Sequence, residues 1–123
     1  MKLHADPSSA LNTVTGYGPG WIEVNRQRHE TAILVMPEGM VDAWPHTQIE
    51  TIDSASLDSV AALKPEIVLL GTGPAQRFPH PRLAASLARH RIGLDVMDTR
   101  AACRTYNILM SEGRQVAAIL LLP

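Results

Sequence analysis

The run Ile67-Val68-Leu69-Leu70, set between Pro65 and the break Gly71-Thr72-Gly73-Pro74, constrains the fold of this chain more than any other feature. Large apolar residues without alternation describe a strand covered on both faces, the habit of interior strands in a parallel sheet. A parallel partner needs a crossover, and the following residues supply one. Pro81 suits the first position of a helix in which Leu83, Ala84, Leu87 and Ala88 face inward while Arg82, Arg89 and Arg91 face water. Gly93 lies just past that helix. Leu94 to Met97 is then the next strand, placed beside or close to Glu66 to Leu70 by the right-handed crossover rule, and equally covered. Asp98 caps a helix from Thr99 to about Ser111, Gly113 stops it, and Arg114 to Leu122 makes a final strand.

Upstream, Ser56 caps a short helix carrying Leu57, Val60, Ala61 and Leu63 until Pro65 forbids its continuation. Before about Ser54 the texture is that of short strands. Gly16, Gly18 and Gly20 punctuate the first of them, and Trp21 to Asn25 alternates with Ile22 and Val24 on one side. Arg26, Gln27 and Arg28 read as a polar turn, and the β-branched run His29 to Met36 as the second arm of a hairpin. Met40 to Trp44 follows as a short further strand. A chain of 123 residues needs one core, so residues 1–123 are expected to form a single α/β domain.

Charge and cysteine content exclude several functions. Eleven Lys plus Arg against twelve Asp plus Glu leave a net charge of -1, too little positive field to draw the protein to nucleic acid or anionic lipid. Charged residues make up 19% of the chain, below the usual quarter, which points to an interface surface. Cys103 is the only cysteine, so neither an intrachain disulfide nor a thiolate metal cluster is expected. Met1 to Asn12 lacks the apolar block of a secretory signal, and the most apolar run, Val116 to Leu122, is far shorter than the ~20 residues of a spanning helix. A cytoplasmic protein without membrane insertion is the expectation.

Two loops carry candidate binding chemistry. Gly71-Thr72-Gly73 follows a buried strand, where glycine lets backbone N–H groups approach an anion. It departs from a dinucleotide fingerprint, because Gln76 stands where a third small residue belongs and the helix begins only near Pro81. The second candidate is the start of the last helix, where Thr99, Arg100 and Arg104 join a positive helix end and Asp98 stands as either cap or ligand. Both loops leave the carboxyl ends of parallel strands, so they should meet at one rim. There Arg77, Phe78, Arg100 and Arg104 would offer charge and a flat apolar contact to a carboxylate, a phosphate or an acidic segment. Asn107 is expected either to hydrogen-bond the neighbouring Gly71 to Gly73 loop or to touch a ligand.

No catalytic set is found. Cys103 sits in an apolar stripe with Tyr106 and Leu109 and has no assigned histidine base, so it reads as a core residue. His4, His29, His46, His80 and His90 show no metal-ligand spacing, and no metal or cofactor is implied. Trp21, Trp44 and Met40 are either core or a second apolar surface.

The segments Gly16-Tyr17-Gly18, the Trp21-to-Asn25 hairpin arm, Pro65 through Gly73, and Met97-Asp98-Thr99-Arg100-Ala101-Ala102-Cys103-Arg104-Thr105-Tyr106-Asn107 with Glu112-Gly113-Arg114 resemble the Mth-domain family of unknown function over nearly the whole chain. Its animal members include a mitochondrial respiratory complex I assembly factor and an adipogenesis-associated protein. The resemblance implies a three-layer α/β fold, with helices packed on a mixed central sheet and an additional N-terminal β-hairpin layer. It also implies a non-enzymatic binding or assembly module that engages a protein partner or a second copy of itself. The competing reading is a small-molecule or anion-binding domain, with latent enzymatic activity, at the rim of Gly71 to Gly73 and Asp98 to Arg104. A targeting extension like that of the mitochondrial relative is not expected.

Overall fold

A computed structural model describes residues 11–123. Residues 1–10, on which the expectation about a secretory signal rests, lie outside it. The order of elements is β1 (Val14–Gly18), β2 (Trp21–Val24), β3 (Gln27–His29), β4 (Ile33–Val35), β5 (Asp42–Ala43), a 3-10 turn at Ile49–Thr51, α1 (Ser54–Ala61), β6 (Ile67–Gly71), α2 (Pro81–Ala88), β7 (Gly93–Met97), α3 (Thr99–Ser111) and β8 (Val116–Leu120). A five-stranded sheet runs β5-β4-β8-β6-β7, and a three-stranded sheet runs β1-β2-β3.

In the larger sheet β6 pairs in parallel with β7 on one side and with β8 on the other, whereas β4 is antiparallel to both of its neighbours, β8 and β5. The sheet is therefore mixed, and the unalternating run occupies its interior as expected. One apolar cluster joins Leu57, Val60, Leu83 and Leu87 of α1 and α2 to Val68, Leu70 and Ile119. The opposite face holds Leu69, Ala118 and Leu120 against Ala102, Cys103, Tyr106 and Met110 of α3, and against Val14, Ile22 and Val24 of the three-stranded sheet. Helices thus cover one face, while α3 and the small sheet share the other.

The hairpin is arranged differently from the sequence expectation. Gln27–His29 is not a turn but β3, paired with β2 in the register Val24↔Gln27. The reversal falls on Asn25 and Arg26, both left-handed at φ 52° and 68°, as a two-residue hairpin turn requires. Ile33–Val35 does not pair back on β2 at all; it crosses to the larger sheet and pairs with β8. The extra layer is consequently a three-stranded meander to which Val14–Gly18 also contributes a strand.

Helix boundaries show smaller corrections. Asp53, not Ser56, caps α1: its carboxylate accepts from the Ser56 N–H at 2.8 Å. Pro81 does open α2, behind His80, whose Nδ1 accepts from Arg82 N–H. The inward residues of α2 are Leu83, Ser86 and Leu87, while Ala84 and Ala88 are exposed, because the helix meets α1 along a narrow stripe. Asp98 caps α3 by accepting from Ala101 N–H at 2.9 Å, and Gly113 stops it in a left-handed conformation. β7 is an edge strand with Gly93 and Asp95 exposed and no residue fully buried, so only β6 of the two parallel strands is covered on both faces.

Candidate functional site

The two glycine- and threonine-bearing loops do meet, and their backbones are stapled together. Gly73 N–H donates to Thr99 Oγ1 at 2.8 Å, Thr99 N–H donates to Gly73 C=O at 3.0 Å, and Thr99 Oγ1 donates to Leu121 C=O at 2.6 Å. Thr99 is fully buried. One hydroxyl thereby ties together the trailing ends of β6 and β8 and the start of α3. Gly71 makes the approach possible: a Cβ there would stand 2.9 Å from Thr99 Oγ1 and 3.0 Å from Thr99 Cα. Gly73 takes φ +103°, a conformation open to glycine at little cost. Thr72 turns its hydroxyl back on its own loop, donating to Ala75 C=O at 2.7 Å and accepting from Arg77 N–H at 3.1 Å.

These bonds decide what the rim can offer. A helix N-terminus attracts an anion through free N–H groups. At α3 the Thr99 N–H goes to Gly73, the Ala101 N–H goes to Asp98, and Gly73's own N–H goes to Thr99, so little remains for a ligand. Asp98 serves as the cap.

The charged side chains of the expected site disperse. Arg77 pairs with Glu50 of the 3-10 turn. Together with Gln48, Thr72 and Gly73 it borders a small cavity of about 200 Å³, to which Asp98 and the α3 arginines do not contribute. Phe78 is 84% exposed and overhangs a separate groove of about 420 Å³, formed with Ile49, Ile52, Pro81 and Leu83. Arg100 is exposed. Arg104 reaches across α3 to donate to the Tyr17 hydroxyl at 2.9 Å. Asn107 turns away from the rim altogether: its Oδ1 accepts from Val14 N–H at 2.9 Å and its Nδ2 donates to Val14 C=O at 2.8 Å. It holds the small sheet instead of the Gly71 to Gly73 loop.

Two structural centres have weak signals in the sequence. Asn12 donates to Met36 C=O and Gly39 C=O, accepts from Asn25 Nδ2, and lends its own C=O to the buried Tyr106 hydroxyl at 2.8 Å. Its N–H also donates to Pro37 C=O, and these partners lie up to 94 residues away, beyond any local pattern. Asp53, Ser56 and His46 form a second chain, with Ser56 Oγ donating to Asp53 at 2.7 Å and lying 2.7 Å from His46 Nε2. The carboxylate here holds the serine and not the histidine, and the Ser56 bonds keep the Asp53 carboxyl below its usual range. An orienting acid on a histidine base is what nucleophile activation would need, so this chain is a helix cap.

Cys103 is 1% exposed, and burial pushes its thiol up to about 12, so the reactive thiolate is disfavoured near neutrality. Among the described residues no cluster of three His, Cys, Asp or Glu side chains is placed to hold a metal, and no helix is long and apolar enough to cross a membrane. Of the three apolar candidates, Trp44 is buried, Met40 is 86% exposed, and Trp21 lies over Gly18 beneath the Arg28 guanidinium, 4.1 Å from its ring centre.

Comparison with known proteins places this geometry among relatives. Residues 14–121 match the model of a family described as protein of unknown function (DUF498/DUF598). A 13 kDa major membrane protein of Francisella tularensis is 37% identical over 73 residues, 59% of each chain. A zebrafish NADH dehydrogenase [ubiquinone] 1 alpha subcomplex assembly factor 3 is 30% identical over all of this chain and 71% of its own length. The chain thus spans roughly three fifths to seven tenths of these relatives. The solution structure of a Mth938-like domain from Bordetella pertussis superposes with a TM-score of 0.81 at 41% identity, covering 98% of this chain and 92% of that one.

Proposed function

The chain belongs to the DUF498/DUF598 family of unknown function, the Mth-domain family, and from that premise we propose that it is a non-enzymatic binding and assembly module for a protein partner. The observation that carries this reading is the stapled rim. Gly73 and Thr99 spend their N–H groups on each other and the Thr99 hydroxyl holds the end of β8, whereas Arg100 and Phe78 remain outside as side chains suited to a protein surface. The zebrafish relative, named as an assembly factor, aligns along the whole chain and supports the same reading. A single buried cysteine fits work in a reducing compartment such as the cytoplasm.

The test is site-specific photo-crosslinking in cells, with the probe placed at position 78, at position 100 or at position 112 on the far end of α3. One polypeptide should be captured at 78 and 100 and not at 112. Equal capture at all three positions, or none at 78 and 100, contradicts the reading.

A second reading is favoured by the 200 Å³ cavity beside Thr72, Gly73 and Arg77, which has room for a small anion. Thermal melting with phosphate and with small carboxylates separates the two. Native-state binding must raise Tm by mass action. We expect no rise; a rise that disappears in Arg77→Ala moves the function to this cavity.

A further inference from the structure

The free edge of the larger sheet at β7 carries an arrangement that the rim does not use. Thr72 N–H donates to Met97 C=O on β7, while Leu121 N–H donates to Gly71 C=O from the other side. In a parallel ladder the N–H and C=O of one residue point the same way, and alternate residues point to opposite sides. Gly93, Asp95 and Met97 therefore face β6, and Leu94 and Val96 face outward. No strand of the described residues lies beyond β7. Val96 C=O has only a 3.4 Å contact from Gln76 Nε2, and the other outward groups of Leu94 and Val96 have no partner among the described residues.

The remaining edges are partly clamped or short. Asn107 clamps the N–H and C=O of Val14 on β1, β5 has two residues and β3 has three. An uncovered five-residue edge is a template for another strand.

The charge on this edge selects the occupant. Two copies of β7 paired antiparallel, Leu94 against Val96 in each direction, would set Asp95 directly against Asp95, and like charges at opposed positions destabilise a sheet. Shifting the register to put Leu94 against Leu94 would set Val96 against Ile92, whose N–H already donates to Leu87 C=O. A second copy is disfavoured in both registers. Asp95 is exposed, whereas Leu94 and Val96 are half-buried against the apolar cluster beneath α1 and α2. An incoming strand bonded to Leu94 and Val96 presents its middle residue to Asp95 and its flanking residues to that apolar cluster.

We propose that the β7 edge binds an extended segment of a protein partner that reads apolar, basic, apolar, with the basic residue opposite Asp95. The probes are ten-residue peptides with the central sequence Val-Lys-Val or Val-Glu-Val, titrated into the full chain while backbone amides are followed by NMR. The Val-Lys-Val peptide should shift the Leu94 and Val96 amides and protect them from exchange, and the Val-Glu-Val peptide should bind about fivefold more weakly or worse. Asp95→Lys should reverse that preference. Val96→Pro removes an outward N–H without touching the bonds to β6, and should abolish binding; if it fails to fold, the charge reversal at Asp95 still decides. Equal affinity for the two peptides, no response at Leu94 and Val96, or self-association of the free protein that Val96→Pro dissolves would each overturn the proposal.

Discussion

The helix α3 is fastened on its two sides by different means. Towards the larger sheet, contact is made by backbone brought close: Gly71 leaves no Cβ in the way, and Thr99, wholly buried, exchanges bonds with Gly73 and Leu121. Towards the three-stranded sheet, apart from shared apolar packing, side chains reach out from α3 to a neighbour's main chain or hydroxyl, Tyr106 to Asn12, Asn107 to Val14 and Arg104 to Tyr17. The first seam tolerates little change of volume because it is close-packed backbone. The second should loosen locally, one tether at a time, while the larger sheet stays folded.

The sharpest way to break that contrast is Thr99→Val, which keeps the shape and removes the hydroxyl. It leaves the Gly73 N–H and the Leu121 C=O buried without partners, and should cost about 3 kcal/mol, read as a Tm lower by roughly 10–15 °C. Gly71→Ala comes next: its Cβ presses on Thr99 backbone, and equilibrium denaturation should show a loss of about 2 kcal/mol. A change near zero in either variant would mean that the seam is looser than described. Asn107→Ala should cost about 1 kcal/mol globally, but hydrogen exchange should quicken selectively at Ile22 and Val24 while Leu69 and Ile119 stay slow. Uniform acceleration would erase the distinction between the two seams.

Titration gives an effect that is absent near neutrality and appears only at alkaline pH. The Cys103 thiol has a folded-state value near 12 against an ordinary 9.0, so the folded chain retains a proton that the unfolded chain gives up. Its contribution is complete below about pH 9 and falls as pH rises towards 12. Cys103→Ala should therefore flatten the alkaline limb of the stability curve. Persistence of the whole limb in that variant would assign it to other groups, Tyr106 first, whose hydroxyl is also raised by burial.

The half of the fold that could be read in the sequence is the half written in local chemistry. An unalternating run marked β6, a carboxylate one residue before Thr99 marked the cap of α3, and Gly113 marked its end. The meander was hidden because its turn uses Asn25 and Arg26 in left-handed conformations without a glycine to announce it. Thr13 N–H donating to Asn25 Oδ1, and Arg26 N–H donating to Thr15 Oγ1, support that turn from residues a dozen positions away. The move of Ile33–Val35 to the larger sheet is a tertiary choice made by its fully buried pairing with β8.

For the candidate site, the meeting of the two loops followed from topology alone. The destinations of Arg77, Arg104 and Asn107 did not. Each partner lies between 27 and 93 residues away, on an element whose placement the local pattern leaves open.

The central claim is that the rim's polar groups hold the fold and leave recognition to exposed side chains. Native-state hydrogen exchange at the amides of Gly73 and Thr99 tests it most directly. We predict that both exchange only through global unfolding, at rates matching the slowest amides of β6 and β8. Fast exchange at these two positions while β6 and β8 remain protected would contradict the account and mark the rim as an open site.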